Sequence, residues 1–284
     1  MAKIFLTGSS DGIGLAAARL LAAQGHKVTL HARSSARAEQ AREAVPNAAG
    51  VLIGDLSSIE QTKKLAEEAN KAGPWDAVIH NAGVYRNDSR TEQGLAMAFA
   101  VNCLAPYMLT CLMEKPKRLL YMSSSLHYNG DTSLNDVAWT QRKQISVSQA
   151  YSDSKLQDVL LANAVARRWP DVQSCSMDPG WVQTKMGGFS APVKVDVPAK
   201  TLASYAAGDH VIGTASGVYF TTGGAKDPNC QDLSCRHRAA LLVERVSALE
   251  ERRQAWVAQP ARSGNPYELC SSSSKARVEA DTAV

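Results

Sequence analysis

Short apolar runs alternate with longer amphipathic segments along most of the chain. Strands that are apolar at nearly every position are typical of a parallel sheet that is covered on both faces. Between these runs lie helix-length segments, such as 149–168, which repeats apolar residues on one face. The pattern predicts an α/β fold with a doubly wound, mostly parallel, seven-stranded sheet and helices on both faces. The seven predicted strands are KIFLTG, KVTLHA, GVLIGD, WDAVIHNAG, KRLLYMSS, VQSCSMDPG and SGVYFTT.

No linker divides the alternating pattern, so we expect a single domain over residues 1–258. The stretch 259–284 is rich in Ser, Ala and charged residues and has no apolar period. Segments of this composition cannot bury enough apolar surface to fold. We therefore expect a disordered C-terminal tail.

Composition narrows the classes of partner. The net charge of +4 is mild, and the basic clusters are short and not interleaved with aromatic residues, so we expect no nucleic-acid partner. No run approaches 18 apolar residues, and the N-terminus lacks the features of a signal peptide, so we expect a cytoplasmic protein without a membrane span. Cys230, Cys235 and His237 lie close in sequence, but a fourth ligand is missing, so we predict no metal site.

A glycine-rich turn follows the first predicted strand and runs directly into a helix. Its sequence is TGSSDGIG, Thr7 to Gly14. Glycines at these spacings allow a tight turn, close approach of the backbone to a pyrophosphate, and close packing of helix on strand. The helix N-terminus adds N–H donors and a positive dipole end. We predict a dinucleotide site that includes Gly8, Ser10, Asp11, Gly12, Ile13 and Gly14; a turn without a ligand is the alternative.

The end of the second predicted strand indicates which dinucleotide binds. No acid that could bind a ribose 2′-hydroxyl stands at His31, Ala32 or Arg33. The Arg33 guanidinium is suited to a 2′-phosphate, and Ser34 or Ser35 could add a hydroxyl. The sequence favours NADP(H), unless Arg33 is only a solvated turn residue.

Tyr151 and Lys155 lie one helical turn apart on the same predicted face. Chance alone supplies about 0.4 Tyr-x-x-x-Lys matches in a chain of this composition, so the pair carries little weight by itself. A cation about 4 Å from a phenol lowers the phenol pKa from ~10 by up to about 3 units. Such a phenol would serve as a general acid or base near neutral pH.

Seven motifs in order decide how this pair is interpreted. Together they cover about residues 3–257, and the chain resembles the short-chain dehydrogenase/reductase family, which has a Rossmann fold. Its spacing is similar to that of retinol-dehydrogenase-like enzymes and of ketoreductases of secondary metabolism. The motifs are TGSSDGIG, GDLSS with Asp55, NAG at 81–83, Asn102, the serines 123–125, Tyr151 with Lys155, and DPGWVQT at 178–184.

The resemblance implies a catalytic tetrad of Asn102, Ser124, Tyr151 and Lys155. Tyr151 would be the general acid or base, and Lys155 would hold the nicotinamide ribose and lower the Tyr pKa. Asn102 would anchor a proton-relay water, unless it only caps a helix. Ser124 would bind the substrate carbonyl, unless it is a turn residue; Ser125 is the alternative to it.

The resemblance also implies further cofactor and substrate contacts. The segment 185–207 is expected to form an apolar lid, and aromatic candidates that include Trp139 favour a moderately large apolar or aromatic carbonyl substrate. The further cofactor contacts are Asp55, Leu56, Asn81, Ala82, Gly83, Pro179, Gly180, Val182 and Thr184, and the substrate contacts are Tyr85, Ser125, Tyr128, Trp181 and Met186.

Two spacings depart from the family pattern. The distance from Asn102 to Ser124 is short, and Pro106 and Pro116 lie in or near the helix between them. This helix commonly forms the family's dimer interface, so the sequence leaves open whether the protein is a homo-oligomer. The distance from Ser124 to Tyr151 is long, and the insert is expected to form a loop over the active site.

The expected function is NADP(H)-dependent interconversion of a carbonyl and an alcohol on a small molecule. One alternative is an isomerisation, dehydration or cyclisation on the same fold. Another is a cofactor-sensing scaffold protein.

Overall fold

The computed structural model describes residues 1–85, 88–226 and 233–254. Its first half alternates strands and helices as the apolar pattern predicts. The elements up to the middle of the sheet are β1 (Lys3–Leu6), α1 (Gly12–Ala23), β2 (Lys27–Ala32), α2 (Ser35–Ala44), β3 (Gly50–Ile53), α3 (Ile59–Ala72) and β4 (Ala77–His80).

The second half contains a helix that changes pitch and a long insert before the main helix. The elements are α4 (Met97–Phe99), a π-helical turn (Ala100–Leu104), α5 (Ala105–Leu112), β5 (Arg118–Met122), a 3₁₀ helix (Ser125–Asn129), α6 (Val147–Arg168), β6 (Gln173–Asp178), α7 (Asp196–Ala207), β7 (Tyr219–Thr221), β8 (Gly224–Lys226) and α8 (Leu233–Gln254).

In the described residues the strands form one eight-stranded sheet in the order β3-β2-β1-β4-β5-β6-β7-β8. All neighbouring strands are parallel except β7 and β8, which form an antiparallel pair. The predicted mostly parallel sheet is confirmed, but the predicted number of seven strands is wrong. The missed strand is the three-residue segment Gly-Ala-Lys, which is too short and too poor in β-branched residues to form an apolar run.

The sheet separates two hydrophobic cores, which explains why its strands are apolar at nearly every position. Phe5 and Val78 point to the core beneath α3, α5, α6 and α8. Ile4, Leu6 and Ile79 point to the core beneath α1 and α7. Because neighbouring residues of a strand point to opposite faces, both faces must be apolar.

Helix α7 corrects the prediction of a lid over 185–207. Its residues Ala199, Leu202, Ala203, Tyr205 and Ala206 are buried in the core that also contains α1. A helix whose apolar face is packed in a core cannot serve as a mobile cover. Only the segment before it, 185–195, remains as a candidate lid.

The carboxyl ends of β1, β4, β5 and β6 lie at the same edge of the sheet, because these strands are parallel neighbours. The motifs TGSSDGIG, NAG, the three serines and DPGWVQT each follow one of these strands. The topology therefore brings segments far apart in sequence to one crevice, where doubly wound folds bind ligands.

Some predictions fall outside these residues. The domain boundary at 258, the tail 259–284 and the side chains of Cys230, Cys235 and His237 all lie outside what the structure describes. Within the described ranges, no helix combines the length and apolar character needed to cross a membrane.

Candidate active site

The phosphate loop is built around glycines that leave no room for a side chain. Gly8 has a φ of +64°, which favours glycine, and a Cβ there would lie 2.7 Å from the Ala82 Cα. A Cβ on Gly14 would lie 2.5 Å from both the Gly8 carbonyl oxygen and the Asn81 Nδ2. Gly14 thus packs beneath the loop, as the sequence predicts, and the loop backbone faces the crevice.

His31 is a loop-supporting residue that the sequence reasoning missed. Its Nδ1 accepts a hydrogen bond from the Gly8 N–H at 3.0 Å, and its Nε2 lies 2.8 Å from the Gly54 carbonyl oxygen. These partners require a neutral ring with the proton on Nε2. Burial lowers the pKa of His31 to about 4, although Gly54 and Asp55 oppose this shift. The sequence signal for this role is a histidine within a mostly apolar strand.

The NAG motif ties the fourth strand to the same loop. The Asn81 Nδ2 donates to the carbonyl oxygens of Thr7 and Gly8 at 2.9 and 3.1 Å. The Thr7 hydroxyl accepts from the backbone N–H groups of Asn81 and Ala82. These bonds hold the loop and the end of β4 as one unit.

A cavity of about 500 Å³ opens beside this loop. Most of the predicted cofactor residues line it, whereas Gly14 lies beneath the loop and Ser34 only precedes α2. Met186, predicted as a substrate residue, also lines this cavity. The predicted cofactor residues in the lining are Gly8, Ser10, Asp11, Gly12, Ile13, Arg33, Asp55, Leu56, Asn81, Ala82 and Gly83.

Three cations surround one end of the cavity, and only Arg33 was predicted. Arg37 from α2 and Lys185 from the segment after β6 also line it. Both contact the Asp11 carboxylate, at 3.3 and 2.6 Å. Burial raises the pKa of Asp11, but the bonds from Lys185, Gly12 and Arg37 outweigh burial and lower it. Asp11 therefore orients two cations around the cavity mouth.

A dinucleotide phosphate suits these residues. The glycine backbone leaves a cradle that a Cβ would fill, and the N-terminus of α1 begins at its edge. Arg37 and Lys185, which contact the N-cap residue Asp11 of this helix, and Arg33 supply positive charge for a further phosphate. The Asp55 side chain is fixed by the Ser57 N–H and hydroxyl at 2.9 and 2.7 Å, which holds that wall in place.

Tyr151 and Ser124 lie together at the carboxyl edge of the sheet, where β5 ends. The Ser124 side chain is a polar neighbour of the Tyr151 phenol and lowers its pKa, and Ser124 also accepts from the Leu126 N–H at 3.2 Å. Ser123 points away, since its hydroxyl donates to the Lys155 carbonyl oxygen at 2.8 Å. Ser125 begins the 3₁₀ helix. The structure thus brings Ser124 to the Tyr151 phenol.

The pKa of Tyr151 differs from the expectation. Burial raises it above its ordinary value, and Lys155, whose Nζ lies 5.5 Å from the ring centre, lowers it by less. The lysine acts in the predicted direction, but burial outweighs it. The phenol is therefore protonated at neutral pH.

Lys155 is buried, and its ammonium group has two hydrogen-bond partners. Its Nζ donates to the Met122 carbonyl oxygen at 2.6 Å and to the Asp158 carboxylate at 2.8 Å. A Cβ built on Gly83, in the cavity wall, would lie 3.8 Å from this Nζ. Lys155 therefore adjoins the cavity. The sequence reasoning missed Asp158, although an Asp three residues after Lys155 lies on the same helical face.

Asn102 lies inside a helix rather than capping one. Pro106 has no N–H, so the Asn102 carbonyl oxygen cannot accept the usual α-helical bond from four residues later, and the chain takes a π turn here. The Asn102 amide donates to the Val84 carbonyl oxygen and to the Ser154 hydroxyl, both at 3.0 Å, and accepts from the Val84 N–H. Asn102 thus joins α6 to the end of β4.

The segment after β6 lies against the phosphate loop. The Gly180 N–H donates to Asp178, and Val182 forms a bridge with Val193 that turns the segment back. A Cβ on Gly12 would lie 3.4 Å from the Thr184 Cγ2. Thr184 therefore meets the loop, whereas Pro179, Gly180 and Val182 do not line the cavity.

The aromatic residues predicted to contact substrate include one that packs on Tyr151 and two that are exposed. The Tyr85 ring lies 4.6 Å from the Tyr151 ring. Tyr128 and Trp181 are 48% and 58% exposed, and the Trp181 indole is held by the Gly187 carbonyl oxygen. Trp139 is not a pocket residue, since it is buried and donates to Asp153.

The insert between Ser124 and Tyr151 is anchored to α6. Arg142 stacks on Trp139 and contacts the carboxylates of Asp131 and Asp153. His127 is buried, and its Nδ1 lies 2.7 Å from the Ser124 carbonyl oxygen. The start of the insert therefore fixes the backbone of Ser124.

Known proteins are similar to this chain in sequence and in fold. Residues 2–118 match the short chain dehydrogenase family. An uncharacterized oxidoreductase of Emericella nidulans is 50% identical over 258 residues, covering 88% of this chain and 98% of that protein.

More distant relatives carry names that indicate an activity. A putative daunorubicin C-13 ketoreductase of Streptomyces is 32% identical over 65% of this chain and 67% of its own length. Retinol dehydrogenase 14 of Homo sapiens is 32% identical over 65% of this chain and 62% of its own length. A Burkholderia cenocepacia short chain dehydrogenase, solved in complex with NADP, shares the fold with a TM-score of 0.62 at 21% identity, covering 78% and 95% of the two chains.

Proposed function

Because the chain belongs to the short-chain dehydrogenase family, we propose that it is an NADP(H)-dependent oxidoreductase that interconverts a carbonyl and an alcohol. The resemblance to retinol dehydrogenases and ketoreductases is confirmed. The observation that carries the proposal is the Tyr151–Ser124 pair together with Lys155, whose Nζ adjoins the Gly83 wall of a cavity that has a glycine cradle. This wall is called the inner end of the cavity.

The protein's own groups would position the substrate and move a proton. A bound nicotinamide supplies or accepts the hydride. Tyr151 donates its phenolic proton to the carbonyl oxygen during reduction and takes it back during oxidation. Ser124 donates a hydrogen bond to the same oxygen and stabilises the negative charge that develops there.

The protonation state of Tyr151 favours reduction at neutral pH. Burial keeps the pKa of the phenol above its ordinary value, so the phenol holds the proton that reduction consumes. Lys155 and Asn102 hold the surrounding backbone through Met122 and Val84. Asn102 is also proposed to anchor a relay water, and Lys155 to bind the nicotinamide ribose.

The cations at the outer end of the cavity support NADP(H) as the cofactor. Arg33, Arg37 and Lys185 line this end, and His31 occupies a position where the sequence offers no acid for a ribose 2′-hydroxyl. A guanidinium binds a phosphate through paired N–H groups. We propose that Arg33 and Arg37 contact the 2′-phosphate.

The substrate proposed is a moderately large apolar or aromatic carbonyl compound. Tyr85 presents aromatic surface beside Tyr151, and Ser125 lies next to Ser124. Tyr128 and Trp181 are exposed aromatic residues that we propose to contact the same substrate. The names of two relatives, a daunorubicin ketoreductase and a retinol dehydrogenase, refer to large apolar compounds with such groups. A cytoplasmic location and the oligomeric state stay predictions.

The test is turnover of NADPH with a panel of aromatic ketones and aldehydes. We expect wild-type activity, and a loss of about 10²–10⁴-fold in Tyr151→Phe, since general acid catalysis contributes that much. Tyr205→Phe is the matched control, because Tyr205 is buried in α7 and donates to the Leu119 carbonyl oxygen. It should retain turnover.

Two outcomes would favour other functions. Product formation without net consumption of NADPH would indicate isomerisation, dehydration or cyclisation. NADPH binding without any turnover would indicate a cofactor-sensing scaffold. Equal rates in the wild type and Tyr151→Phe would exclude the assigned role of the phenol.

A further inference from the structure

Asp158 is a buried carboxylate that the proposed mechanism does not use. It lies on α6, three residues after Lys155, and both residues are buried, at 2% and 4% exposure. Its Oδ2 accepts from the Lys155 Nζ at 2.8 Å. A buried ion pair offsets the cost of losing water only where its geometry is good and further hydrogen bonds are made. Removing one partner leaves the other charge buried without a counter-charge.

Other groups around this pair do not replace Asp158. The titratable neighbours of Asp158, apart from Lys155, are the buried thiol of Cys103 and the buried phenol of Tyr121. Burial raises the pKa of both groups, so both are neutral at physiological pH. Burial raises the pKa of Asp158 to about 7, although Lys155 opposes this shift, so above neutral pH Asp158 is the charged partner of Lys155 within this buried cluster.

The pair acts on Tyr151 from the same helix. Tyr151 faces Lys155 and Asp158 on α6, Ser124 after β5, Asp178 at the end of β6, and the Tyr85 ring after β4. The cation of Lys155 favours the phenolate, and the anions of Asp158 and Asp178 disfavour it. Asp158 therefore opposes part of the lowering of the Tyr151 pKa that Lys155 causes.

We propose that Asp158 is a positioning residue that seats Lys155 and screens its positive charge from Tyr151. The inference rests on the proposed role of Tyr151 as the general acid. It assigns Asp158 the task of keeping the phenol protonated, which suits an enzyme that works as a reductase.

The size of the effect follows from the spacing on the helix. Seven residues separate Tyr151 from Asp158, which is about 10 Å along the helix axis. A unit charge at this distance and an effective dielectric near 20 shifts a pKa by about one unit. Removing the Asp158 charge should therefore lower the titration midpoint of Tyr151 by about one pH unit.

The first experiment measures the pH dependence of kcat/KM for NADPH-dependent reduction. Activity should fall as the pH rises through the Tyr151 midpoint, and this alkaline limb should lie about one unit lower in Asp158→Asn than in the wild type. The asparagine keeps an acceptor for Lys155 but removes the charge. A limb that stays in place or moves to higher pH would overturn the proposal.

Asp153→Asn is the matched control. Asp153 is a buried carboxylate on the same helix, but it contacts Trp139, Gln149 and the Asp131 N–H instead of Lys155. Its variant should keep the wild-type alkaline limb even where stability falls. An equal shift in both variants would show a general effect of altered packing and would contradict the role of Asp158. Asp158→Ser, which is smaller, carries the same expectation if the asparagine variant does not fold.

A second readout separates this proposal from the proposed function. Tyrosinate absorbance is titrated in the wild type and in Asp158→Asn, and in each case the titration of the same protein with Tyr151→Phe is subtracted. The difference reports Tyr151 alone and needs no turnover. If no ketone is reduced but the midpoint is lower in Asp158→Asn, the proposed function fails and the assignment of Asp158 stands. If ketones are reduced but the midpoint is unchanged, Asp158 does not screen Lys155.

Discussion

The two ends of the candidate cofactor cavity hold their polar groups in different ways. At the inner end, Lys155 and Asn102 are buried and each makes bonds to fixed backbone carbonyls. At the outer end, Lys185 is 75% exposed and pairs with the Asp11 carboxylate, as does Arg37. Breaking a buried bond leaves an unpaired group in a medium of low dielectric, whereas an exposed ion pair contributes only about 0–1 kcal/mol. The inner end is therefore suited to fix the chemistry, and the outer end to select the dinucleotide.

Gly14→Ala tests how rigid the packing beneath the phosphate loop is. The added methyl group would lie 2.5 Å from the Gly8 carbonyl oxygen and the Asn81 Nδ2. Overpacking of this kind costs about 1–3 kcal/mol, and the displaced loop should also lose most of its NADPH binding. Urea unfolding measures the first effect, and fluorescence titration with NADPH measures the second.

Gly50→Ala is the control for this substitution. Nothing lies within 4 Å of a Cβ built on Gly50, which begins β3 at the edge of the sheet. Its free energy of unfolding should change by less than about 0.5 kcal/mol. Similar losses in the two variants would show that the loop has no special rigidity.

The buried His31 ring makes the stability of the protein depend on pH. Its pKa is about 4 in the folded protein, against an ordinary 6.5, because burial disfavours the cation. Below pH 6.5 the unfolded chain takes up a proton that the folded protein excludes. The stability is therefore fully present above that pH and falls by up to about 3 kcal/mol as the pH decreases toward 4.

His31→Gln should flatten this part of the stability curve, measured by urea unfolding between these pH values. His80, whose pKa burial lowers to about 3, adds a loss of the same sign to the wild type and the variant alike. A slope that does not differ between the wild type and His31→Gln would show that His31 is not the group responsible.

The range of each contact along the chain explains what the sequence could predict. The glycine loop and the Tyr151–Lys155 pair could be predicted from local patterns, because glycine spacing and a separation of one helical turn are set within a few residues. The outer end depends on tertiary contact, since Lys185 reaches Asp11 across 174 positions. No local pattern indicates that contact, so Lys185 was missed.

Other errors have separate physical causes. Strand β8 forms only because β7 is there to pair with it, and three residues carry no apolar period of their own. The lid prediction is wrong because the apolar positions of α7, such as Leu202, pack in the core and do not form pocket surface. Arg142 and Trp139 anchor the insert to α6, the helix that carries Tyr151, and its place over the active site stays a prediction.

Arg37→Ala tests the outer end and should give the smallest effect. Loss of one charge-assisted hydrogen bond costs about 1.5 kcal/mol, which raises the Kd for NADPH by about tenfold. The Kd for NADH should not change, because NADH lacks the 2′-phosphate. Arg42→Ala is the control, since Arg42 is exposed in the last turn of the same helix and does not line the cavity. Added salt should reduce the difference between NADPH and NADH in the wild type more than in Arg37→Ala, because exposed charges are screened. If Arg37→Ala weakens both cofactors equally, Arg37 acts through Asp11 on the shape of the loop, and the outer end then depends on fixed partners as much as the inner end does.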